Sequence, residues 1–224
     1  MQNYFLLIIL PAIVAMIAQF RVTGAFRKWS KYRTTAGMTG AQVAQSILQQ
    51  AQINDVTVER VNGFLGDHYD PTHKRLCLSD GVHDSSSVAA AGIAAHEVGH
   101  AIQHAKAYAP LKWRMAIVPV TQIASQILPF VIMGGFFFQI FGLIKLGIIC
   151  YFVLTIFQLI TLPVEFDASR RAKIILGQMG MIQQGEEASG VNRVLNAAAL
   201  TYVAAFLASL GNLLYLISLT QRRN

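Results

Sequence analysis

Four long stretches of the chain lack charged side chains, and the polar residues are collected between them. Residues 1 to 20, 115 to 144, 146 to 164 and 194 to 221 contain no Asp, Glu, Lys or Arg. About 20 apolar residues in a helix cross the hydrocarbon of a bilayer. The pattern therefore predicts a mainly α, integral membrane protein with about four transmembrane helices and a small cytosolic α+β subdomain.

The boundaries follow from the same pattern. We expect a first transmembrane helix at 1 to 20 and a hairpin of helices two and three at 115 to 164, which turns between Gly134-Gly135 and Lys145. Residues 194 to 221 form a fourth helix that either spans the membrane or lies at its interface. The polar regions 21 to 114 and 165 to 193 are the subdomain and a further helix, respectively.

Shorter periodicities describe the subdomain. Thr39 and Gln42 have the spacing of a capping box before an amphipathic helix at 40 to 51. Residues 56 to 61 alternate as a strand does, and residues 75 to 78 are a second short strand, introduced by a turn at 69 to 72. A free strand edge could bind an extended peptide through backbone hydrogen bonds. A sheet that only covers its neighbouring helix fits the pattern equally well.

Composition and charge agree with a membrane protein and give it an orientation. The chain is 54% hydrophobic and 13% charged, which is too apolar for an ordinary soluble domain of 224 residues. A basic cluster follows the first apolar stretch, so the positive-inside rule places residues 21 to 114 and 165 to 193 in the cytosol. We predict a multi-pass protein of the cell membrane. This topology and contact with anionic lipid account for the net charge of +7, which gives no argument for nucleic acid. The terminal pair Arg222-Arg223 conflicts with an outside C-terminus.

The segment His96-Glu97-Val98-Gly99-His100 has the chemistry of a zinc peptidase. Residues four apart lie above one another on a helix, so both imidazoles can bind one Zn²⁺ per chain. Glu97 is then placed as the general base for the metal's water. Small residues on both sides favour one closely packed helix, and its N-cap is expected among Asp84, Ser85 and Ser86.

A catalytic zinc usually has a third protein ligand. His104 continues the stripe, but histidines 96, 100 and 104 span about 12 Å of helix axis, which is too long for one ion. Glu165 is the better candidate, against the alternative of an interfacial carboxylate paired with Arg170 or Arg171. The two-span hairpin returns the chain to the side where residue 106 left it, and this parity favours Glu165.

Together with the zinc motif, two further segments resemble a known family over nearly the whole chain. They are His68-Tyr69-Asp70-Pro71 with Leu76-Cys77-Leu78-Ser79, and Glu165-Phe166-Asp167-Ala168-Ser169-Arg170-Arg171-Ala172. They resemble the YugP-like membrane zinc metallopeptidase family, and the ligands and hairpin are similar to those of CAAX prenyl peptidases and heat-shock membrane peptidases. The resemblance implies two His and one Glu on zinc.

One position departs from those larger families, which have an Asp four residues after the ligand Glu. Here that residue is Ser169, so the group that orients a ligating imidazole stays open among Ser169, Asp167 and a backbone carbonyl. The donors for the oxyanion are also open, and polar residues near predicted membrane boundaries are the candidates: His68, Arg193, Asn196 and Tyr202.

The sequence thus predicts a zinc-dependent endopeptidase that cleaves membrane or membrane-adjacent proteins at the cytosolic surface. Its partners are a protein or peptide substrate and the lipid bilayer. One alternative is a site-2-like intramembrane peptidase, which requires an Asp in a later span, and no Asp interrupts the later apolar stretches. The other is a non-catalytic scaffold with a structural zinc, which would have no use for Glu97.

Overall fold

A computed structural model describes residues 5 to 221, most of which are helical. A π-helical turn at Phe5–Ile9 leads into α1, and three strands form one sheet. The elements are α1 (Leu10–Trp29), α2 (Gly40–Gln50), β1 (Thr57–Val61), β2 (His68–Asp70), β3 (Arg75–Ser79), α3 (Asp80–His83), α4 (Val88–Ala105), α5 (Ala109–Phe137), α6 (Phe141–Gln178) and α7 (Glu186–Gln221).

The predicted fold class is confirmed: among the described residues, four helices are long and apolar enough to cross a membrane. They lie at Leu6–Trp29, Ala109–Phe137, Gly142–Gln178 and Glu186–Gln221. These helices extend beyond the uncharged stretches, because charged residues can lengthen a helix that the apolar segment has already formed. Pro163 lies inside α6, a position that membrane helices tolerate. Residues 222 and 223, whose charges conflict with the predicted topology, lie outside the described residues.

The chain forms two compact units. The helical unit contains the residues up to Gln19, Pro110–Pro163 and the residues from Leu200 onward, and the site unit contains Phe20–Ala109 and Val164–Ala199. Within the helical unit, α5 and α6 form the predicted hairpin, with residues 138 to 140 between them. A Cβ at Gly147 would lie 2.9 Å from the Ile132 side chain, so the missing side chain allows these two helices to pack closely.

The sheet of the site unit has the strand order β1-β3-β2, with β1 parallel and β2 antiparallel to β3. The turn predicted at 69 to 72 was partly wrong. Tyr69 and Asp70 belong to β2, where Tyr69 pairs with Leu76, and the turn follows at residues 71 to 74. Asp70 accepts hydrogen bonds from the backbone N–H groups of Thr72 and His73, which stabilises that turn.

The capping residue was predicted correctly for α2 and wrongly for α4. The capping box of Thr39 and Gln42 is present and begins α2. The N-cap of α4 is Ser87, so the prediction of residues 84 to 86 was wrong. Ser87 has an extended backbone, and its hydroxyl accepts a hydrogen bond from the Ala90 N–H. Ser86 instead accepts a bond from Arg33 Nε, in the turn between α3 and α4.

Helix α4 lies at the centre of the hydrophobic core of the site unit. Its alanine-rich surface is buried with residues from α1, α2, β3, α6 and the start of α7, including Trp29, Ile47, Leu76, Leu176 and Val191. Because an Ala side chain is small, neighbouring backbones come close to α4 on several sides. In the helix that carries the zinc motif, 14 of the 18 residues are buried.

Candidate metal centre

The zinc motif lies in the second half of α4, where the helix passes α6 at very short range. A Cβ on Gly99 would lie 2.9 Å from the Ala168 carbonyl oxygen and 3.1 Å from its Cα. A side chain of any size at residue 99 would thus separate the two backbones. Gly99 permits the approach that brings the residues around Ala168, on α6, to the histidines of α4.

Two imidazoles and one carboxylate meet at this crossing. The Nε2 atoms of His96 and His100 lie 3.2 Å and 3.4 Å from Oε2 of Glu165. Ligand atoms about 2.0 to 2.2 Å from a tetrahedral zinc are separated from one another by about 3.3 to 3.6 Å. The donor types and their spacing therefore fit Zn²⁺, and all three ligand atoms lie within 4.8 Å of one another.

The opposite ring nitrogens of the two histidines have protein partners. Nδ1 of His96 lies 3.1 Å from the Ser169 hydroxyl, and Nδ1 of His100 lies 3.0 Å from Oε1 of Gln103. With the proton on Nδ1, each ring donates to its partner and presents the Nε2 lone pair to a metal. Ser169 thus occupies the position next to a ligating ring that the sequence left open, whereas Asp167 does not contact either ring directly.

Gln103 is a site residue that the sequence reasoning missed. Its side chain is 0% exposed, and its amide Nε2 donates to the Val164 carbonyl at 2.8 Å and to Asp167 Oδ2 at 3.0 Å. Asp167 in turn accepts hydrogen bonds from Arg170 and Arg171. The available signal was its position three residues after His100, which places both side chains on one helix face.

Charges around the site reinforce its geometry. Burial alone would lower the pKa of His100, but the hydrogen bond to Glu165 and the nearby charge of Glu97 raise it overall. The negative charges of Glu97 and Glu165 stabilise a positive charge on the His100 ring. The same negative groups favour a divalent cation at this place.

Glu97 is buried next to the histidines, and none of the described residues donates a hydrogen bond to its carboxylate. Asp67 lies nearby. Burial raises the pKa of the Asp67 carboxyl, and the negative charge of Glu97 adds to this effect, although hydrogen bonds from Ser79 oppose it. Asp67 immediately precedes β2, so this end of the strand lies close to Glu97.

His104, which helix geometry excluded from the ligand set, has a different partner. Its Nδ1 lies 2.9 Å from the Tyr69 hydroxyl on β2. Burial, followed by the charges of Asp55 and Asp70, raises the pKa of Tyr69 to about 12. Tyr69 therefore stays protonated at neutral pH, and the pair links α4 to the sheet.

Of the candidate oxyanion donors, His68, Arg193 and Asn196 have no described hydrogen bond to the proposed metal ligands. His68 is exposed, and its Nδ1 lies 2.8 Å from the Gly66 carbonyl oxygen. Arg193 is exposed, and Asn196 accepts a hydrogen bond from Lys173 at 2.7 Å. Tyr202 belongs to the helical unit.

Comparisons with known proteins identify the family of the chain. Residues 4 to 221 match the family model described as "Putative neutral zinc metallopeptidase". The chain is 50% identical over 197 residues to "Putative membrane protease YugP" of Bacillus subtilis (strain 168), an alignment that covers 88% of this chain and 87% of that protein. No solved structure matches the chain. The expected resemblance is confirmed, and the chain belongs to the neutral zinc metallopeptidase family.

Proposed function

We propose that this membrane protein is a zinc-dependent endopeptidase that hydrolyses peptide bonds of membrane or membrane-adjacent proteins. The observation that carries the proposal is the convergence of two imidazole Nε2 atoms on the Glu165 carboxylate, next to Glu97. A structural zinc site is usually closed by four protein ligands. Three ligands with an adjacent carboxylate are typical of a catalytic site.

Each residue of the site has a separate role in the proposed hydrolysis. His96, His100 and Glu165 would hold one Zn²⁺, which would polarise the scissile carbonyl and acidify a water molecule. Glu97 accepts the proton of the attacking water and returns it to the leaving amine. Ser169 and Gln103 keep the two rings in the tautomer and orientation that ligation requires.

An extended substrate has a suitable edge in β2. Among the described residues this strand pairs only with β3, so its other edge has no strand partner. It packs against α4 and begins directly after Asp67, close to Glu97. These contacts favour peptide binding by strand addition over a sheet that only covers the helix, because the edge leads to the proposed base.

We place the site at the cytosolic face of the cell membrane. The support is the concentration of Lys and Arg in residues 21 to 114 and the two uncharged stretches, 115 to 144 and 146 to 164, between α4 and Glu165. A peptidase there would meet the membrane-proximal segments of other proteins, which defines its substrate class.

Substitution of the base and of the third ligand tests the mechanism. Glu97→Gln should abolish hydrolysis of a membrane-protein substrate while zinc content, measured by atomic emission, stays at one ion per chain. Glu165→Ala should lower both hydrolysis and zinc content. Substrates that accumulate in membranes with the Glu97→Gln variant, and not with the active chain, would be identified by proteomics.

The two variants separate the possible failures. Undiminished hydrolysis by Glu97→Gln would refute the catalytic role of this residue, and unchanged zinc content in Glu165→Ala would remove Glu165 from the ligand set. A chain that binds one zinc but cleaves none of the membrane proteins supplied would favour the scaffold alternative.

A further inference from the structure

A cavity lies beside α4 in the site unit. It has a volume of about 700 Å³ and is bounded by α2, α4, α6 and the segment after α2. We call it the flank groove. Its apolar lining includes Ile47, Ile53 and Ile102, which are nearly fully buried, and Ile174, which is exposed. Cavities of this size accommodate small organic molecules.

The charges in the flank groove have one sign. Lys106, Arg170 and Arg171 line it, and none of its described lining residues is acidic. Among the described residues, Asp167 is the carboxylate partner of both arginines, and Lys106 has no ion pair. Three cations face one carboxylate, so the groove has an excess of positive charge.

Most donors of these cations are available to a ligand. The described side-chain bonds use Nη2 of Arg170 and Nε of Arg171, whereas each guanidinium has five N–H donors. Arg170 is 70% exposed at its side chain and Arg171 is 24% exposed. Both can therefore bind a second anion, with Arg171 also held near the ring of Tyr108.

We propose that the flank groove binds a single-chain anionic amphiphile, such as a fatty acid or a monoacyl phosphate. The acyl chain would lie against the isoleucines, and Lys106, Arg170 and Arg171 would bind the carboxylate or phosphate. In the sequence Arg170 comes six residues after the uncharged stretch 146 to 164. These cations are thus expected near the membrane surface, where amphiphiles of the bilayer have their headgroups.

The cations of the flank groove are linked to the metal centre by a short series of hydrogen bonds. Arg170 and Arg171 bind Asp167, Asp167 accepts from Gln103, and Gln103 accepts from His100. A ligand in the groove would therefore share its cations with the carboxylate that holds Gln103.

Photolabelling tests the binding directly. The full chain in a neutral detergent is illuminated with a 12-carbon fatty acid that carries a diazirine at its chain end, and labelled peptides are mapped by mass spectrometry. Labels should appear in residues 102 to 106 and 170 to 178. The methyl ester of the same probe should label these peptides about tenfold less, because it lacks the charge.

Two double variants make the test specific. Lys106→Gln/Arg170→Gln should reduce groove labelling about tenfold, while Arg27→Gln/Lys31→Gln, which removes two exposed cations elsewhere, should leave it unchanged. Equal labelling by acid and ester, or labels confined to the uncharged stretches, would overturn the proposal. Loss of labelling with equimolar inorganic phosphate would instead assign the groove to a soluble anion and would also overturn it. The Glu97→Gln chain should be labelled normally, so this result is independent of catalysis.

Discussion

Each histidine of the zinc motif uses one ring nitrogen for the ligand cluster and the other for a protein partner. The partners differ in kind, since His96 has the Ser169 hydroxyl and His100 has the Gln103 amide oxygen. Neither is a carboxylate, so both rings should be less basic ligands than in a carboxylate–histidine–zinc arrangement. In the proposed ligand set, the buried Glu165 carboxylate would supply the negative charge.

Gln103→Met tests the positioning of His100. Methionine has a similar volume but cannot accept the Nδ1 proton or donate to Val164 and Asp167, so the ring loses its orientation. The zinc dissociation constant should rise about 10 to 100-fold. Chelator competition measures this, and the visible spectrum of the Co²⁺-substituted chain should also change.

The exposed Gln49→Met is the matched control and should leave both measurements unchanged. A Gln103→Met chain with wild-type zinc affinity and an unaltered Co²⁺ spectrum would show that Gln103 only packs between the helices.

Ser169 offers the complementary substitution at His96. Ser169→Ala removes the acceptor of the Nδ1 proton, and zinc affinity should fall about tenfold. Ser169→Asp introduces a charged acceptor at the same position and should raise affinity, because charge-assisted hydrogen bonds are the stronger ones. The measurement is the zinc dissociation constant, with the exposed Ser189→Ala as the control. Equal affinities for the Ala and Asp variants would contradict the role.

At the scale of elements, the site depends on how closely α4 and α6 pass each other. Gly99 is the residue that sets this distance, since its Cβ would meet the backbone of Ala168. The backbone of α6 cannot move aside as the end of a flexible side chain could. Glu165 and Ser169 are carried by the same stretch of α6, so one displacement would affect a proposed ligand and its neighbour together.

Gly99→Ala should therefore weaken zinc binding by about tenfold or more, since both a ligand and the support of another move. Gly92→Ala in the same helix is the control, because its Cβ would lie 3.4 Å from a Val191 methyl group, an ordinary contact. Gly92→Ala should also raise the free energy of unfolding by about 1 kcal/mol, because Ala has a higher helix propensity than Gly in a helix interior. Thermal unfolding and chelator competition measure both effects. A Gly99→Ala chain with normal zinc affinity would refute the close-crossing argument.

Predictability from the sequence differed between elements for physical reasons. The zinc helix was predictable because its ligand spacing is local, and Glu165 because the number of spans restricts which segments can meet. Strand β2 was missed because it has three residues and is followed by Pro71, which reads as a turn. Ser85, Ser86 and Ser87 have the same side chain, so the sequence does not distinguish them as N-caps. The extended backbone of Ser87 identifies it as the N-cap. The role of Gln103 arises from the packing of α6, which no local pattern encodes.

At the scale of the whole molecule, the placement of charged residues supports the proposed orientation of the site in the membrane. Residues 21 to 114 contain eleven Lys and Arg, whereas Lys145 is the one charged residue between the second and third uncharged stretches. A two-span hairpin would place α4 and Glu165 on the same side of the membrane. If the hairpin did not span, the turn between α5 and α6 would be on the same side as the site.

Cysteine labelling in intact cells distinguishes these topologies. In a Cys77→Ala/Cys150→Ala background, which removes both free thiols, Phe138→Cys lies in the hairpin turn and Thr72→Cys in the turn before β3. Both positions are exposed. A membrane-impermeant maleimide should label residue 138 in intact cells and residue 72 only after lysis, because a charged reagent does not cross the bilayer. Labelling of residue 72 in intact cells would place the zinc site outside, and protection of both would show that the hairpin does not span.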